Sequence, residues 1–296
     1  MNKKYKRNIF IFTFIVPTLI FYLTFFGYPI LKAFYISFFR WTGLSNTKTF
    51  VGFDNFKRLF EDKVVWKAML NNVTMLFYGM IIIFILAMFF ATIIVRKGYK
   101  ESKFYRVVFL FPNVLSVVVI SIIWSFIFSP NMGIINNFLN LIGLENLART
   151  WLGDENTVLG SLVVTQVWTY TGFFMVLYMS AMKNIPKAMY ESAQIEGASE
   201  IRQYFSITIP LMWEIIRTSL VFFVARFFKT TFPLVYVMTG GGPNRSSEIL
   251  STYMYEQGFV NSNFGYATTI GLLLFAVMMS INFILQKVTK REVYEF

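Results

Sequence analysis

Arg226 and Lys229 are the residues whose chemistry is hardest to explain, because they lie near the middle of an apolar run, Leu211 to Val237. Their i, i+3 spacing puts both cations on one face of a helix. If the run crosses a membrane, each cation costs about 2.5–3.5 kcal/mol at the bilayer centre. Among the fifteen acidic residues only Glu214 lies in an apolar run, at its edge. The pair therefore needs a water-filled cavity, a carboxylate from another subunit, or an anionic ligand, and the sequence leaves these three explanations open.

A second group of polar side chains lies in the apolar run Val158 to Ala181, where Gln166 and Tyr170 are the candidates for binding a ligand. An amide and a phenol with an aromatic face suit a sugar, which needs hydrogen bonds to its hydroxyls and stacking on its C–H face. Polar residues also commonly join membrane helices to each other, and this alternative is equally open. Trp168 lies elsewhere on the same helix and is expected to face lipid.

A mostly polar segment separates two apolar runs and is bounded by Pro186 and Pro210. Because proline suits a first helical turn and resists a helix interior, both prolines predict helix boundaries. Between them, Lys187 to Ile195 is predicted to be helical. Gly197 interrupts the helix, and Ser199 begins another as a hydroxyl cap. The segment is therefore predicted to contain two short helices joined at a glycine, near a membrane surface.

The chain lacks two residue types and several motifs on which many enzymes depend. It has no histidine, which is the most frequent catalytic base, and no cysteine. It also lacks the G-x-x-x-x-G-K-[ST] phosphate loop, H-E-x-x-H and G-x-S-x-G. The sequence therefore predicts a protein that is not an enzyme, binds no metal or cofactor of its own and cannot hydrolyse ATP.

The composition is that of a polytopic membrane protein, with 56% hydrophobic and 14% charged residues and a mean hydropathy of +0.57. Soluble domains usually carry about 25% charged residues. Runs of about 20 apolar residues are long enough to cross a bilayer. Six such runs are present, and they predict an all-α fold with spans at about 9–28 (an uncleaved first helix), 69–95, 105–128, 158–181, 211–237 and 266–285.

The cations are distributed unevenly between the segments that connect these six spans. Fifteen lie on the side that includes the N-terminus and residues 183–210, and eight lie on the other side. Because short cytoplasmic loops carry the excess of Lys and Arg, both termini are predicted to be cytoplasmic. In a membrane protein the location of the charge matters more than its sum, so the net charge of +12 gives no reason to expect nucleic acid.

The segment 183–210 resembles the cytoplasmic EAA loop of ABC importer permeases. The pattern appears as Glu191-Ser192-Ala193, Gly197 and Ile207-Thr208-Ile209-Pro210, with the family spacing kept throughout. The departures are Ser192 for alanine, Glu196 for the frequent aspartate and Ile209 for leucine. We call residues 183–210 the coupling loop, because in the family this loop docks onto the ATP-hydrolysing subunit.

Two further segments are similar to carbohydrate permeases. Residues 50–56 read FVGFDNF, close to the family's FVGLxNY, and Thr239-Gly240-Gly241-Gly242-Pro243 is followed by the family's spaced tyrosines and by Gly265-Tyr266-Ala267. The three glycines predict a tight turn where no side chain fits. Together with the coupling loop, these segments resemble the maltose-type (MalF-like) permease subunit of carbohydrate ABC importers, in a short form without a large inserted outer domain.

The resemblance implies a single permease domain over residues 1–296 with the type I ABC importer fold, in the cell membrane of a prokaryote. It implies that Glu191, Ala193, Gly197, Ala198 and Pro210 couple the chain to an ABC ATPase dimer, which binds ATP and Mg²⁺. The other implied partners are a second, MalG-like permease and an extracellular substrate-binding protein. The expected substrate is a sugar or oligosaccharide, and an acidic, uronate-containing one would explain Arg226 and Lys229.

Two other transport functions stay open as alternatives, a secondary transporter that works without ATP and an importer of another small solute. A secondary transporter would be expected to show an inverted repeat and a coupling-ion carboxylate inside its spans. The sequence shows neither, and a secondary transporter would have no use for the coupling loop.

Overall fold

The computed structural model describes residues 3–43, 47–97 and 101–290. This part of the chain is mostly helical, as predicted. Its β-strands are the two-residue β1 (Phe39–Arg40) and β2 (Thr49–Phe50), which pair antiparallel with Phe39 opposite Phe50. Lys100, Arg291 and both chain ends, which the charge analysis assigned to the cytoplasm, lie outside the described residues.

The helices of the first part of the chain begin with a long apolar stretch and include the longest helix. In chain order they are α1 (Lys3–Tyr22), α2 (Tyr28–Ser37), α3 (Asp54–Glu61), α4 (Lys63–Lys97), α5 (Ser102–Val114), α6 (Val117–Ile127) and α7 (Ile134–Leu141). A π-helical turn, Leu23–Gly27, joins α1 to α2. The first predicted span therefore continues past Tyr28, and its apolar helical run is Phe10–Ser37.

The second part of the chain alternates long helices with short ones. The helices are α8 (Val158–Lys183), α9 (Lys187–Ile195), α10 (Glu200–Gln203), α11 (Ile209–Leu211), α12 (Trp213–Met238), α13 (Leu250–Tyr255) and α14 (Phe264–Val288). A 3₁₀ turn lies at Glu145–Leu147, and π-helical turns lie at Tyr204–Thr208 and Glu256–Val260.

Among the described residues, five helical runs are long and apolar enough to cross a membrane, namely Phe10–Ser37, α4, α8, α12 and α14. The third predicted span, 105–128, is not one continuous helix. It consists of α5 and α6, which meet at an angle of 99°. Leu115 and Ser116 have extended backbones there, three residues after Pro112 has removed an amide donor from α5. The sequence predicted a span here but not the break within it, and the crossing itself stays a prediction.

Packing divides the described chain into two compact units. One contains the chain up to Val65 together with Tyr253–Phe275, and the other contains Trp66–Thr252 together with the chain from Ala276. That all of these residues form one permease domain stays a prediction.

The core of the second unit lies between α4, α8 and α12. Phe174 and Tyr178 of α8 pack with Phe84 of α4 and Phe223 of α12, and all but Phe84 are fully buried. Two thirds of the apolar window of α8 is buried, more than in any other helix of membrane length among the described residues. The helix that carries Gln166 and Tyr170 is therefore the centre of this unit.

Gly172 lets α5 approach this central helix closely. A Cβ atom at Gly172 would lie 1.7 Å from the carbonyl oxygen of Phe109, so only glycine permits the contact. Small residues allow this kind of close packing between membrane helices, where the hydrophobic effect contributes little to association. The Asn113 side chain also donates to the Thr169 carbonyl, at 3.4 Å, near the break between α5 and α6.

Candidate functional site

The first helix of the coupling loop, α9, begins directly after Pro186, whose own backbone is extended. The helix ends at Ile195 and is closed by two hydrogen bonds. The amide of Gly197 donates to the Gln194 carbonyl and that of Ala198 donates to the Ala193 carbonyl, both at 2.9 Å. This is a Schellman motif, which requires a left-handed residue just past the helix end. Gly197 supplies it with φ +77°.

This geometry gives a physical reason for part of the family pattern. Ala193, Gly197 and Ala198 are the carbonyl acceptor, the left-handed residue and the closing donor of one helix terminus. Their spacing is therefore fixed by the bonding of the turn itself. The predicted turn at Gly197 is present, while contact with an ATPase stays a prediction.

The second helix of the loop begins at Ser199, whose hydroxyl accepts from the Arg202 amide at 3.3 Å. The Gln203 side chain donates back to the Ala198 carbonyl at 3.0 Å and is itself buried. The predicted cap is thus present, and Gln203 fastens α10 to the turn that precedes it.

Pro210 does not end a helix, which corrects the expected boundary. Helical backbone runs from Glu200 through α11, and the irregular residue is Met212, with φ −91° and ψ 0°. Proline lacks the amide that an α-helix needs and its ring crowds the carbonyl four residues earlier. The wider π-helical turn at Tyr204–Thr208 directly precedes α11, and such turns accommodate this kind of misfit.

The coupling loop presents both charged and apolar side chains at its surface. Glu191 and Gly197 are exposed, whereas Ala193, Ala198 and Pro210 are half-buried. Ile195 and Ile201 are 88% and 72% exposed. An exposed apolar surface rimmed by polar residues is typical of a protein interaction site.

The cations of α12 differ in their surroundings. The Arg226 guanidinium lies 4.8 Å from the centre of the Tyr170 ring and 5.5 Å from that of Phe173, and its side chain is half-buried. Lys229 is exposed. Among the described residues no acidic group forms a salt bridge with either cation. Aromatic faces stabilise a desolvated cation by about 2 kcal/mol, so the two rings offset part of the cost of Arg226.

Gln166 and Tyr170 both bind threonines of α12. The Gln166 amide nitrogen donates to the Thr231 hydroxyl at 3.2 Å, and the Tyr170 hydroxyl donates to that of Thr230 at 2.7 Å. Both side chains are buried. This arrangement fits the alternative that these polar residues join two membrane helices. The carbonyl oxygen of Gln166 is buried without a partner, and Tyr170 also contacts Arg226. Trp168 is partly exposed, and its contact with lipid stays a prediction.

Sequence reasoning gave no role to Glu248, which organises the turn after α12. Its buried carboxylate accepts from Arg245 at 3.1 Å and from Thr252. The Asn71 side chain of α4 donates to the Glu248 carbonyl at 2.9 Å. Neighbouring Asn72 accepts from the Leu250 amide at the same distance. The signal available in the sequence was a pair of asparagines in an apolar helix, where unpaired amides would be costly.

Asp62, immediately before α4, is a second carboxylate that the sequence did not single out. It accepts hydrogen bonds from the hydroxyls of Tyr253 and Tyr266, each at 2.7 Å, and from the Val64 amide at 2.9 Å. Partial burial opposes ionisation, but these donors together hold the pKa of Asp62 below its usual value. The group joins three segments of the first unit.

Helices of membrane length, with an exposed loop of two short helices between two of them, define a polytopic membrane protein. The chain belongs to the family of binding-protein-dependent transport system inner membrane components, whose sequence profile matches residues 83–293. It is therefore a multi-pass ABC transporter permease of the cell membrane and not an enzyme.

Two relatives and one solved structure are similar over most of their length. A probable ABC transporter permease protein of Bacillus subtilis, YurN, is 36% identical, with 96% of this chain and 97% of the relative covered. The diacetylchitobiose uptake permease NgcF of Streptomyces coelicolor is 28% identical over 93% and 80%. A chain of a bacterial alginate ABC transporter, crystallised with a periplasmic protein carrying an alginate pentasaccharide, has a TM-score of 0.81 and 25% identity over 98% and 99%.

Proposed function

We propose that this chain is one permease subunit of an ATP-driven oligosaccharide importer, forming half of the translocation path and coupling it to an ATPase. The observation that carries the proposal is the coupling loop, a built and exposed two-helix surface on a chain that has no nucleotide-binding motif of its own. The names of its relatives, which include a diacetylchitobiose uptake permease, support a saccharide substrate.

The proposed complex contains a second, MalG-like permease, an ABC ATPase dimer and an extracellular binding protein. ATP and Mg²⁺ bind to the ATPase subunits. Glu191 contributes charge to the docking surface, and the turn formed by Ala193, Gly197 and Ala198 sets its shape. The alginate transporter, whose complex includes a periplasmic protein carrying an alginate pentasaccharide, supports this assembly by its similarity over nearly the whole chain.

Six crossings with both termini in the cytoplasm are part of the proposal. The bent pair α5–α6 decides this point, because a re-entrant pair would put the coupling loop outside the cell. Arg149 and Arg245 would then join the N-terminal side. Six cations would leave it, namely Lys183, Lys187, Arg202, Lys287, Lys290 and Arg291. The charge asymmetry would fall from 15 against 8 to 11 against 12. The positive-inside rule therefore favours a pair that crosses.

The substrate we propose is an acidic, uronate-containing oligosaccharide. Arg226 and Lys229 lie on α12 without an acidic partner among the described residues, and Arg226 is stacked against Tyr170 and Phe173. A uronate carboxylate would provide the missing charge, and the aromatic rings would suit the sugar face. The structural similarity to an alginate transporter supports the same chemistry.

The test is sugar-stimulated ATP hydrolysis by the reconstituted complex with its binding protein. Neutral and uronate-containing oligosaccharides are compared in wild type and in the double variant Arg226→Gln, Lys229→Gln. We expect stimulation by the acidic sugars that the double variant loses. Arg217→Gln is the matched control, because Arg217 is a cation of the same helix that already has its acid, Glu214, at 3.3 Å.

Two results would change the proposal in different ways. Equal stimulation by a neutral sugar in wild type and double variant would mean that the cations serve a water-filled cavity or a partner carboxylate, and the acidic substrate would be rejected. Import that proceeds without any ATPase would contradict the proposal of an ATP-driven importer and would favour a secondary transporter.

A further inference from the structure

Arg96, one residue before the end of α4, contacts both short helices of the coupling loop. One guanidinium nitrogen, Nη1, donates to the backbone carbonyl of Glu200 at the start of α10, at 3.1 Å. The guanidinium carbon lies 5.5 Å from the centre of the Tyr190 ring on α9. A single side chain of a long apolar helix therefore joins the two halves of the loop.

Tyr190 extends this contact further along the loop. Its hydroxyl and that of Thr208, which is buried at the end of the π-helical turn, are 2.9 Å apart. The Tyr190 ring, which contacts the Arg96 guanidinium, is therefore also hydrogen-bonded to the segment that leads into α12. Arg96, Tyr190 and Thr208 form a continuous polar connection from α4 through α9 to the start of α11.

Open space lies on both sides of this connection. A mostly apolar groove of about 680 Å³ is bounded by α4 and by the chain from α10 to α12. A more polar cavity of about 590 Å³ lies between the ends of α4 and α8 and the coupling loop. Arg96 and Glu200 line both. Open space on either side interrupts the packing between α4 and the loop. The contacts of Arg96 with Glu200 and Tyr190 therefore connect α4 to the loop in a region where other packing is sparse.

A second guanidinium nitrogen of Arg96, Nη2, is buried and has no hydrogen-bond partner among the described residues. A buried donor left unpaired is costly, so the observed arrangement of this arginine is not its best-satisfied one. Glu200 has an exposed carboxylate on the residue whose carbonyl already binds Arg96. Because the Glu200 carbonyl belongs to α10, any movement of α10 relative to α4 changes its contact with Arg96.

We propose that Arg96 is the positioning residue that transmits movement of the coupling loop to α4. The inference rests on the proposed function, since it assumes that an ATPase moves this loop. Arg96 acts through Tyr190 and Glu200 and touches neither substrate nor nucleotide.

The experiment measures ATP hydrolysed per sugar imported by the complete reconstituted complex. Site-to-site coupling usually changes an equilibrium by about 5- to 150-fold. We expect Arg96→Gln to raise the ratio at least about fivefold while basal ATP hydrolysis continues. Arg96→Lys should rescue only in part, because lysine keeps the charge but not the planar stacking on an aromatic ring. Lys97→Gln is the matched control, since it removes an exposed cation from the next position of α4.

A double-mutant cycle separates transmission from simple loss of packing. Tyr190→Leu should raise the same ratio, and combining it with Arg96→Gln should add little, because both remove one connection. Tyr190→Phe keeps the ring and should preserve most of the Arg96 contribution. These variants also test the proposal if Arg96→Gln fails to assemble.

The outcomes distinguish this inference from the function beneath it. A wild-type ratio in Arg96→Gln, or fully additive effects in the cycle, would overturn the role of Arg96 and leave the importer intact. A wild-type complex whose ATP hydrolysis ignores sugar would overturn both. A raised ratio in Arg96→Gln and Tyr190→Leu but not in Lys97→Gln would support transmission through this connection.

Discussion

At the scale of single residues, the turn after α12 shows how a buried acid dictates the backbone beside it. Gly240 and Gly241 both have positive φ, +58° and +91°. A Cβ atom at Gly241 would lie 2.7 Å from a carboxylate oxygen of Glu248, whereas one at Gly240 would meet nothing within 4 Å. The carboxylate is held by Arg245 and Thr252, so it has little freedom to move away.

We therefore expect alanine to be tolerated differently at these two neighbouring glycines. Gly240→Ala should cost about 1–2 kcal/mol, the usual penalty of a left-handed backbone for a residue with a Cβ. Gly241→Ala should cost roughly a further 1–3 kcal/mol, because it also disturbs a buried carboxylate and its donors. Thermal unfolding of the two purified variants measures the difference, and equal losses of stability would mean that Glu248 moves freely.

Residue-level predictions succeeded where the cause is local in sequence. The turn at Gly197 and the cap at Ser199 follow from bonds to residues within five positions, so the spacing alone indicates them. Gln166 and Tyr170 were left undecided because their partners, Thr231 and Thr230, lie 65 and 60 positions away. No periodicity of α8 specifies which face of α12 it will meet.

At the scale of elements, Asp62 ties the start of α4 to two later helices of the same unit. Its carboxylate accepts hydrogen bonds from the hydroxyls of Tyr253 on α13 and Tyr266 on α14. The guanidinium carbon of Arg58 on α3 lies 4.0 Å from the centre of the Tyr266 ring. These contacts span about 200 positions of sequence, and no motif in the sequence indicates that the tyrosines meet Asp62. They could not be predicted without the fold, although the apolar runs that bring them together could.

The Asp62 cluster predicts a pH dependence of stability. Because the pKa of Asp62 is lower folded than the unfolded value of about 3.9, its contribution is present above that value and is lost as pH falls through the folded pKa. Asp62→Asn lacks this contribution. Its melting temperature should lie below that of wild type at pH 7, and the gap should narrow towards pH 3.

Tyr253→Phe provides the intermediate case, since it removes one phenol donor and leaves Tyr266 in place. Scanning fluorimetry of the three proteins across pH 3–7 (a range chosen to bracket the usual aspartate titration) measures the effect. A gap between wild type and Asp62→Asn that stays constant across this range would show that the carboxylate is not stabilised by the fold.

At the scale of the whole molecule, the count of membrane crossings depends on the predicted span 105–128, which is bent in the middle. The apolar content of 105–128 was sufficient to predict a span, but a hydropathy pattern does not report direction. The 99° bend after Pro112 depends on backbone geometry and on packing of α5 against Gly172 and of α6 against α12. The distribution of Lys and Arg indicates whether the pair crosses, because the excess of cations on the N-terminal side is present only if α5 and α6 together span the membrane.

A labelling experiment decides between crossing and re-entry, and the absence of native cysteine makes it direct. Single variants Glu101→Cys, Asn156→Cys and Glu196→Cys place exposed thiols before the bent pair, after it and in the coupling loop. If the pair crosses, a membrane-impermeant maleimide added to intact cells should label only Asn156→Cys, and the other two should react only after permeabilisation. If the pair is re-entrant, Glu196→Cys alone should be labelled in intact cells. That result would place the coupling loop outside, where no cytoplasmic ATPase can reach it, and both the proposed importer and the role of Arg96 would fall together.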